Sequence, residues 1–202
     1  MKLLGTDISP YVRKVRLVLL EKNIPHEYLV DAPRDPGSHV AQVNPLGRIP
    51  ALILDDDSCV FDSPVIAEYL DTLNDDPILI PRNDALARMR VRRWEGLSDG
   101  IMDSALVVRT ESLRAPENQD ANIHTLHYNA VTRALAYAAD LLGKREYCEG
   151  DAITLADLAL VSVLIYLDLR QPDRNWRSDH QNLSAWFERI AARPSVRTTL
   201  NA

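Results

Sequence analysis

Apolar and polar positions divide the chain into a mixed strand-and-helix stretch followed by a purely helical one. Lys2 to Gly5 is a short apolar strand, and Thr6 to Pro10 reads as the turn after it. Ser9 can cap the helix that follows, with Pro10 in its first turn. Val12, Val15, Val18 and Leu19 recur at helical spacing and make one buried face. Arg13, Lys14, Arg16, Glu21 and Lys22 make the opposite face, and Asn23 ends the helix. His26 to Val30 reads as a second strand, and two strands joined by a helix imply a right-handed βαβ unit. Asp31 to Ser38, with its prolines and glycine, is a surface loop leading to an irregular or briefly helical stretch through Val43.

An Ile49-Pro50 step then enters a β-rich run, Ala51 to Leu54. An acidic turn at Asp55 to Asp57 leads to a second short strand, Cys59 to Phe61. Proline entering a strand suits an edge position or a cis turn, because it cannot donate to the ladder. The hairpin closes on Asp62-Ser63-Pro64, with Ser63 expected as N-cap and Pro64 as the first residue of a helix to about Asn74. The order βαβαββα is that of a thioredoxin-like α/β domain, placed at residues 1–76, with active sites expected at the first helix start and beside the proline loop.

Residues 77–84 read as a linker, and residues 85–202 as an all-α domain. Ala85 to Arg114 is expected as one long helix, with Gly96 and Gly100 tolerated at about 1 kcal/mol each. A loop near 115–120 precedes a helix from Ala121 to Leu142, which Gly143 can close. Thr154 and Asp157 form a capping box, and Ile153 can staple onto Leu158. Leu155 to Leu169 is apolar nearly all round and should be the buried central helix. A last helix is expected near Leu183 to Ala192, stopping before Pro194.

At 202 residues, 46% hydrophobic and 26% charged, the composition is that of an ordinary globular protein. The net charge of −6 argues against a surface devoted to nucleic acid or anionic membrane. Cys59 and Cys148 are too few for a disulfide framework and form no zinc or CxxC pattern, so a reducing, cytoplasmic setting is the simpler inference. No signal peptide is read at Met1, and Leu158 to Leu167 is too short to span a bilayer. His124 and His127 share a helix face without a third ligand, so no metal site is expected.

The chemistry gathers at the hairpin. Ser63 and the free N–H groups behind it would form an anion site, with Asp62 beside it to hold a cation. Ile49 can offer its N–H and C=O to an extended chain, and the pieces together suit a small zwitterionic peptide.

NPLGRIPALIL followed by FDSPVIAEYLD closely resembles the glutathione-binding half of the soluble glutathione S-transferases. SPYVRKVRLVLLEKNIPHEYLVD is similar to their first structural unit, and the resemblance covers nearly the whole chain. It implies that Ile49, before a cis Pro50, pairs with the cysteinyl backbone of glutathione, while Asp62 and Ser63 hold the γ-glutamyl group. It places the thiol-activating residue at Ser9, implying a bacterial serine-type transferase rather than a cysteine-type thiol exchanger, with Tyr11 the competing hydroxyl. A thiol of pKa near 8.5 is only slightly ionised at pH 7, and each unit of lowering is worth about 1.4 kcal/mol. A hydroxyl donor at a helix start supplies both a hydrogen bond and a favourable dipole.

Arg48 can meet a carboxylate of the tripeptide, and His39 matches the glycine-end position more weakly. Asp99 resembles the aspartate that reaches across a twofold dimer to the partner's γ-glutamyl amine. Arg88, Arg90, Arg92 and Arg93 form a solvated or dimer-facing run, while Trp94, Met102, Leu106, Tyr166 and Trp176 line either an acceptor pocket or the core. The resemblance thus implies a cytoplasmic homodimer conjugating glutathione, as cosubstrate, to small hydrophobic electrophiles, with no metal, nucleic-acid or membrane partner. The alternative is a glutathione-binding regulatory or scaffold protein with little turnover.

Overall fold

The structure is a computed structural model that describes residues 1–200. Its first half runs β1 (Lys2–Gly5), α1 (Pro10–Glu21), β2 (Glu27–Val30), α2 (Val40–Val43), β3 (Ala51–Ile53), β4 (Cys59–Val60) and α3 (Ser63–Thr72). The sheet order is β2-β1-β3-β4, with β1 and β2 parallel and the other neighbours antiparallel. This is the thioredoxin-like arrangement that the pattern predicts. Alternation along the strands sorts the residues by face. Leu3 and Leu52 join the cluster containing Val12, Val15, Ile66 and Leu70 of α1 and α3, whereas Leu4 and Ala51 pack with Val40 of α2 on the other side. Gly5 permits the close approach of α1 to the sheet, since a Cβ there would stand 2.5 Å from a methyl of Val12.

The second half is helical: α4 (Ala85–Ser112), a 3-10 turn at Pro116–Asn118, α5 (Ala121–Leu142), α6 (Leu155–Arg170), α7 (Trp176–Asp179), α8 (Gln181–Ala191) and α9 (Pro194–Leu200). α6 is buried from Leu155 to Leu167 and packs against α1, α4 and α8. Its capping box forms, with the Asp157 carboxylate accepting from the Thr154 N–H at 2.9 Å and also from the Cys148 N–H at 2.7 Å. Gly143 closes α5 at a φ of +57°. Two helices were not expected. α7 is a single short turn, and Pro194 starts α9 rather than ending helical structure, because proline's missing N–H costs nothing in a first turn.

The polar face of α1 corrects a larger expectation. Arg13, Lys14, Arg16 and Lys22 are all less than a tenth exposed. At Arg13, Lys14 and Glu21 that face is the junction with the helical half, while Arg16 pairs with Asp7 and Lys22 turns to α3 and the segment after it. Lys14 Nζ lies 3.0 Å from Glu95 and 2.8 Å from Asp99, and Arg13 Nη1 donates to the Thr199 carbonyl at 2.5 Å. Glu21 accepts from Arg193 at 2.9 and 2.7 Å. Lys22 reaches Asp71 at 3.1 Å and the Pro77 carbonyl at 2.7 Å. A single hydrophobic cluster continues through the junction, from Leu3 by way of α1 and α6 to Val196.

Candidate functional site

The turn from β1 into α1 carries Ser9. Its Oγ accepts from the Val12 N–H at 3.3 Å and so caps α1. The hydroxyl hydrogen takes no part in that bond and remains available to an acceptor at the helix start. Antiparallel register sets Leu4 against Ala51, which carries Pro50 level with Gly5 and next to the Ser9 turn. The Ile49-Pro50 bond is cis. The loop before it is fastened by buried Asn44, whose Nδ2 donates to the Arg48 carbonyl at 2.8 Å and whose Oδ1 accepts from the Leu46 N–H at 3.0 Å. Ile49 is half-buried, and the Arg48 residue is exposed.

At the start of α3 the cap is Asp62, not Ser63. The Asp62 carboxylate accepts from the Ser63 N–H, and an ionised acceptor makes the stronger of the two available caps. Asp62 stays exposed. Ser63 becomes the first helical residue, with no exposed surface, and its Oγ has no partner among the described residues.

Tyr11 points from α1 towards α4, where its hydroxyl donates to Asp103. Burial pushes its pKa up, and the charges of Asp103, Asp99 and Asp62 push it further, so the phenol stays protonated. Burial also raises the Asp99 pKa, with Lys14 opposing and Glu95 and Asp62 adding to the rise. Asp62, Asp99 and Asp103 thus form an acidic rim facing the start of α1, and Lys14 is the buried cation behind it. Asp99, matched to an aspartate that reaches a partner subunit, is here held by Lys14 of its own chain at 2.8 and 2.9 Å.

The cleft offers three complementary features: the Ser9 hydroxyl at the start of α1, an acidic rim suited to an ammonium group, and the Ile49 backbone before cis Pro50. The N–H groups behind Ser63, expected to be free, are taken: those of Val65 and Ile66 bond the Asp62 carbonyl, and that of Ser63 bonds the Asp62 carboxylate. Two concavities, of about 330 and 280 Å³, lie away from the cleft, beside Met1 and beside Arg174. His39 sits away from these features at the start of α2, exposed, with its N–H on Asp31 at 2.9 Å. Trp94, Met102 and Trp176 are core residues, Tyr166 is 5% exposed and Leu106 is 37% exposed. Arg88 and Arg92 pair with Glu68 of α3. Cys59 is half-buried because β4 is an edge strand, while burial pushes the Cys148 thiol up. Among the described residues no group of three or more His, Cys, Asp or Glu side chains is placed to hold a metal ion, and no helix is long and apolar enough to cross a membrane.

Lys14, Asn44 and Asp103 organise the site without having been singled out for it. Asn44 carries a local signal, an Asn-Pro-x-Gly turn; Lys14 and Asp103 find their partners only in the folded chain.

Residues 8–73 match the family profile of the glutathione S-transferase N-terminal domain, and residues 121–189 that of the C-terminal domain. The chain is 36% identical to the uncharacterized GST-like protein YibF of Escherichia coli, over 98% of both proteins. A Methylobacillus flagellatus glutathione S-transferase, solved with glutathione bound, matches at a TM-score of 0.95 and 39% identity, covering 98% of both chains. A glutathione transferase family member from Pseudomonas fluorescens, solved with S-(propanoic acid)-glutathione, matches at 0.84 and 37%, again over 98% of both.

Proposed function

We propose that this chain, which belongs to the glutathione S-transferase family, binds glutathione in the cleft at the start of α1 and transfers its thiolate sulfur to a small electrophile. The observation that carries the reading is the Ser9 hydroxyl. Its oxygen is used by the Val12 N–H, while its hydrogen is free to donate to a sulfur held at the positive end of α1. Tyr11, the competing hydroxyl, is committed to Asp103. Ile49 pairs with the cysteinyl backbone, exposed Asp62 takes the γ-glutamyl ammonium, and the Ser63 hydroxyl meets the adjoining carboxylate. Arg48 answers the glycine carboxylate. Asp99 and Asp103 reinforce the acidic rim. Holding both reactants in one cleft then supplies the other large contribution to rate.

The relatives solved with glutathione and with S-(propanoic acid)-glutathione support this use of the fold. A homodimer fits the face that α3 and α4 share, where Val65, Leu86 and Met89 are exposed apolar residues beside the Arg88–Glu68 pair.

Calorimetric titration with glutathione on wild type and Ser9→Ala, with the bound thiol's ultraviolet absorbance followed against pH, tests the proposal. Wild type is expected to bind and lower the thiol pKa, and Ser9→Ala to bind without lowering it. An unshifted thiol in wild type replaces the transferase by a glutathione-binding regulatory protein. Absence of binding overturns the assignment of the cleft.

A further inference from the structure

Resting on the transferase reading, we infer that the electrophile accepted by this chain carries a carboxylate, held by Arg109 of α4 and Arg170 of α6 beside the Tyr166 hydroxyl. The placement follows from the register of α4 on α1. Lys14 meets Glu95 and Asp99, and Tyr11, at the start of α1, meets Asp103. α4 therefore continues past the end of α1, and its next turns extend beyond the Ser9 turn, where a group attached to the sulfur must lie. Leu106, 37% exposed, provides apolar surface there, and Arg109 follows about 9 Å beyond Asp103 along the helix. α6 starts beside Trp94 of α4, whose indole N–H donates to Glu149 at 3.1 Å while the neighbouring Cys148 N–H donates to Asp157 at 2.7 Å. Packed along α4 from there, it brings Tyr166 and Arg170, one turn apart, to the Arg109 end.

Neither guanidinium has a carboxylate partner among the described residues, although the chain carries a net charge of −6. The acids nearest in sequence are taken. Asp103 accepts from Tyr11, Glu111 pairs with Arg114, and Asp168 accepts from Trp176 at 2.8 Å and Arg177 at 2.6 Å. The Tyr166 hydroxyl likewise has no hydrogen bond among the described residues, and the residue is 5% exposed. Burial pushes that hydroxyl's pKa up, and Arg170 and Arg109 both act against the rise, as charges close to it must. Two unpaired guanidiniums and a phenol donor at an apolar wall suit a planar carboxylate attached to an apolar electrophile.

The chemistry gains from the same charges. When the thiolate adds to an α,β-unsaturated acid, the C–S bond forms at the β-carbon and the π pair moves towards the α-carbon and carboxylate. A proton from water then completes the α-carbon, with no leaving group. The carboxylate of such an acid repels the incoming electrons, and two guanidiniums placed on it offset that repulsion in the transition state.

The test is calorimetric titration of wild type, Arg109→Gln, Arg170→Gln and the double variant with glutathione, S-(2-carboxyethyl)glutathione and its uncharged carboxamide. Wild type is expected to bind the acid about tenfold or more tightly than the amide. Each single variant should reduce that preference and the double variant abolish it. Equal binding of acid and amide by wild type overturns the inference while leaving the transferase reading intact, and requires no variant to fold. A preference that survives in the double variant overturns the assignment to these arginines. Failure of wild type to bind glutathione itself removes the transferase reading and the inference together.

Discussion

Lys14 and Asp99 meet at 2.8 Å across the junction of the two halves, with the Lys14 side chain wholly buried. Glu95 completes the cluster at 3.0 Å, so one ammonium serves two carboxylates. Removing a buried charge strands its partners, at a cost of about 3–5 kcal/mol. Lys14→Met is expected to lose stability on that scale, read from denaturant midpoints. Asp99→Asn should lose less, because Glu95 keeps Lys14 paired.

Tyr11 and Ser9 are separable by the pH at which the bound thiol ionises. The Tyr11 phenol is held protonated by burial and by three neighbouring carboxylates, and its hydrogen is given to Asp103. Tyr11→Phe is therefore expected to leave the thiol's ionisation midpoint in place while lowering stability by about 1 kcal/mol, the worth of one hydrogen bond. Ser9→Ala should raise the midpoint. A midpoint that moves with Tyr11→Phe instead would transfer the activating role to Tyr11.

The elements were legible where the signal is local. The period of apolar residues gave the strands and long helices, the end of α5 at Leu142 follows from Gly143, and the Thr154–Asp157 box announces α6. The polar face of α1 was not legible in the same way. A helix face of Arg and Lys looks solvated until its partners are known, and those of Lys14 stand 81 and 85 residues away in sequence. The cap of α3 was misplaced by one residue because Asp62 and Ser63 are both competent caps, and only the fold decides between adjacent candidates. Arg109 and Arg170 sit on separate helices, so their common neighbour Tyr166 emerges only from packing.

Glu21 ties the stability of the junction to pH. Burial pushes its pKa up, but hydrogen bonds from Arg193 and Ser195, together with the Arg193 charge, leave it below the ordinary value of 4.5. A carboxylate that binds its proton more weakly in the folded state contributes stability above the unfolded pKa and loses it as pH falls through the lowered native value. Glu21→Gln is expected to cost about 2 kcal/mol at pH 7, the scale of charged hydrogen bonds. The difference from wild type should shrink as pH falls through that lowered value, in denaturation measured from pH 7 into the acid range. A deficit independent of pH would mean that Glu21 acts through packing alone.

Ser63 distinguishes a binding residue from a structural one by the sign of two effects. Its hydroxyl is fully buried without a partner among the described residues, an arrangement that costs the folded state about 1–3 kcal/mol. A residue present only for stability would not be placed so. Ser63→Ala removes the unsatisfied hydroxyl at small loss of volume, so the protein without ligand is expected to melt no lower than wild type, and up to a few degrees higher. Glutathione should meanwhile bind about tenfold more weakly, because its γ-glutamyl carboxylate loses the donor that the proposed site reserves for it. Melting curves and calorimetric titrations on the same preparation read both quantities. Stability and affinity falling together would show that Ser63 supports the start of α3 rather than the ligand.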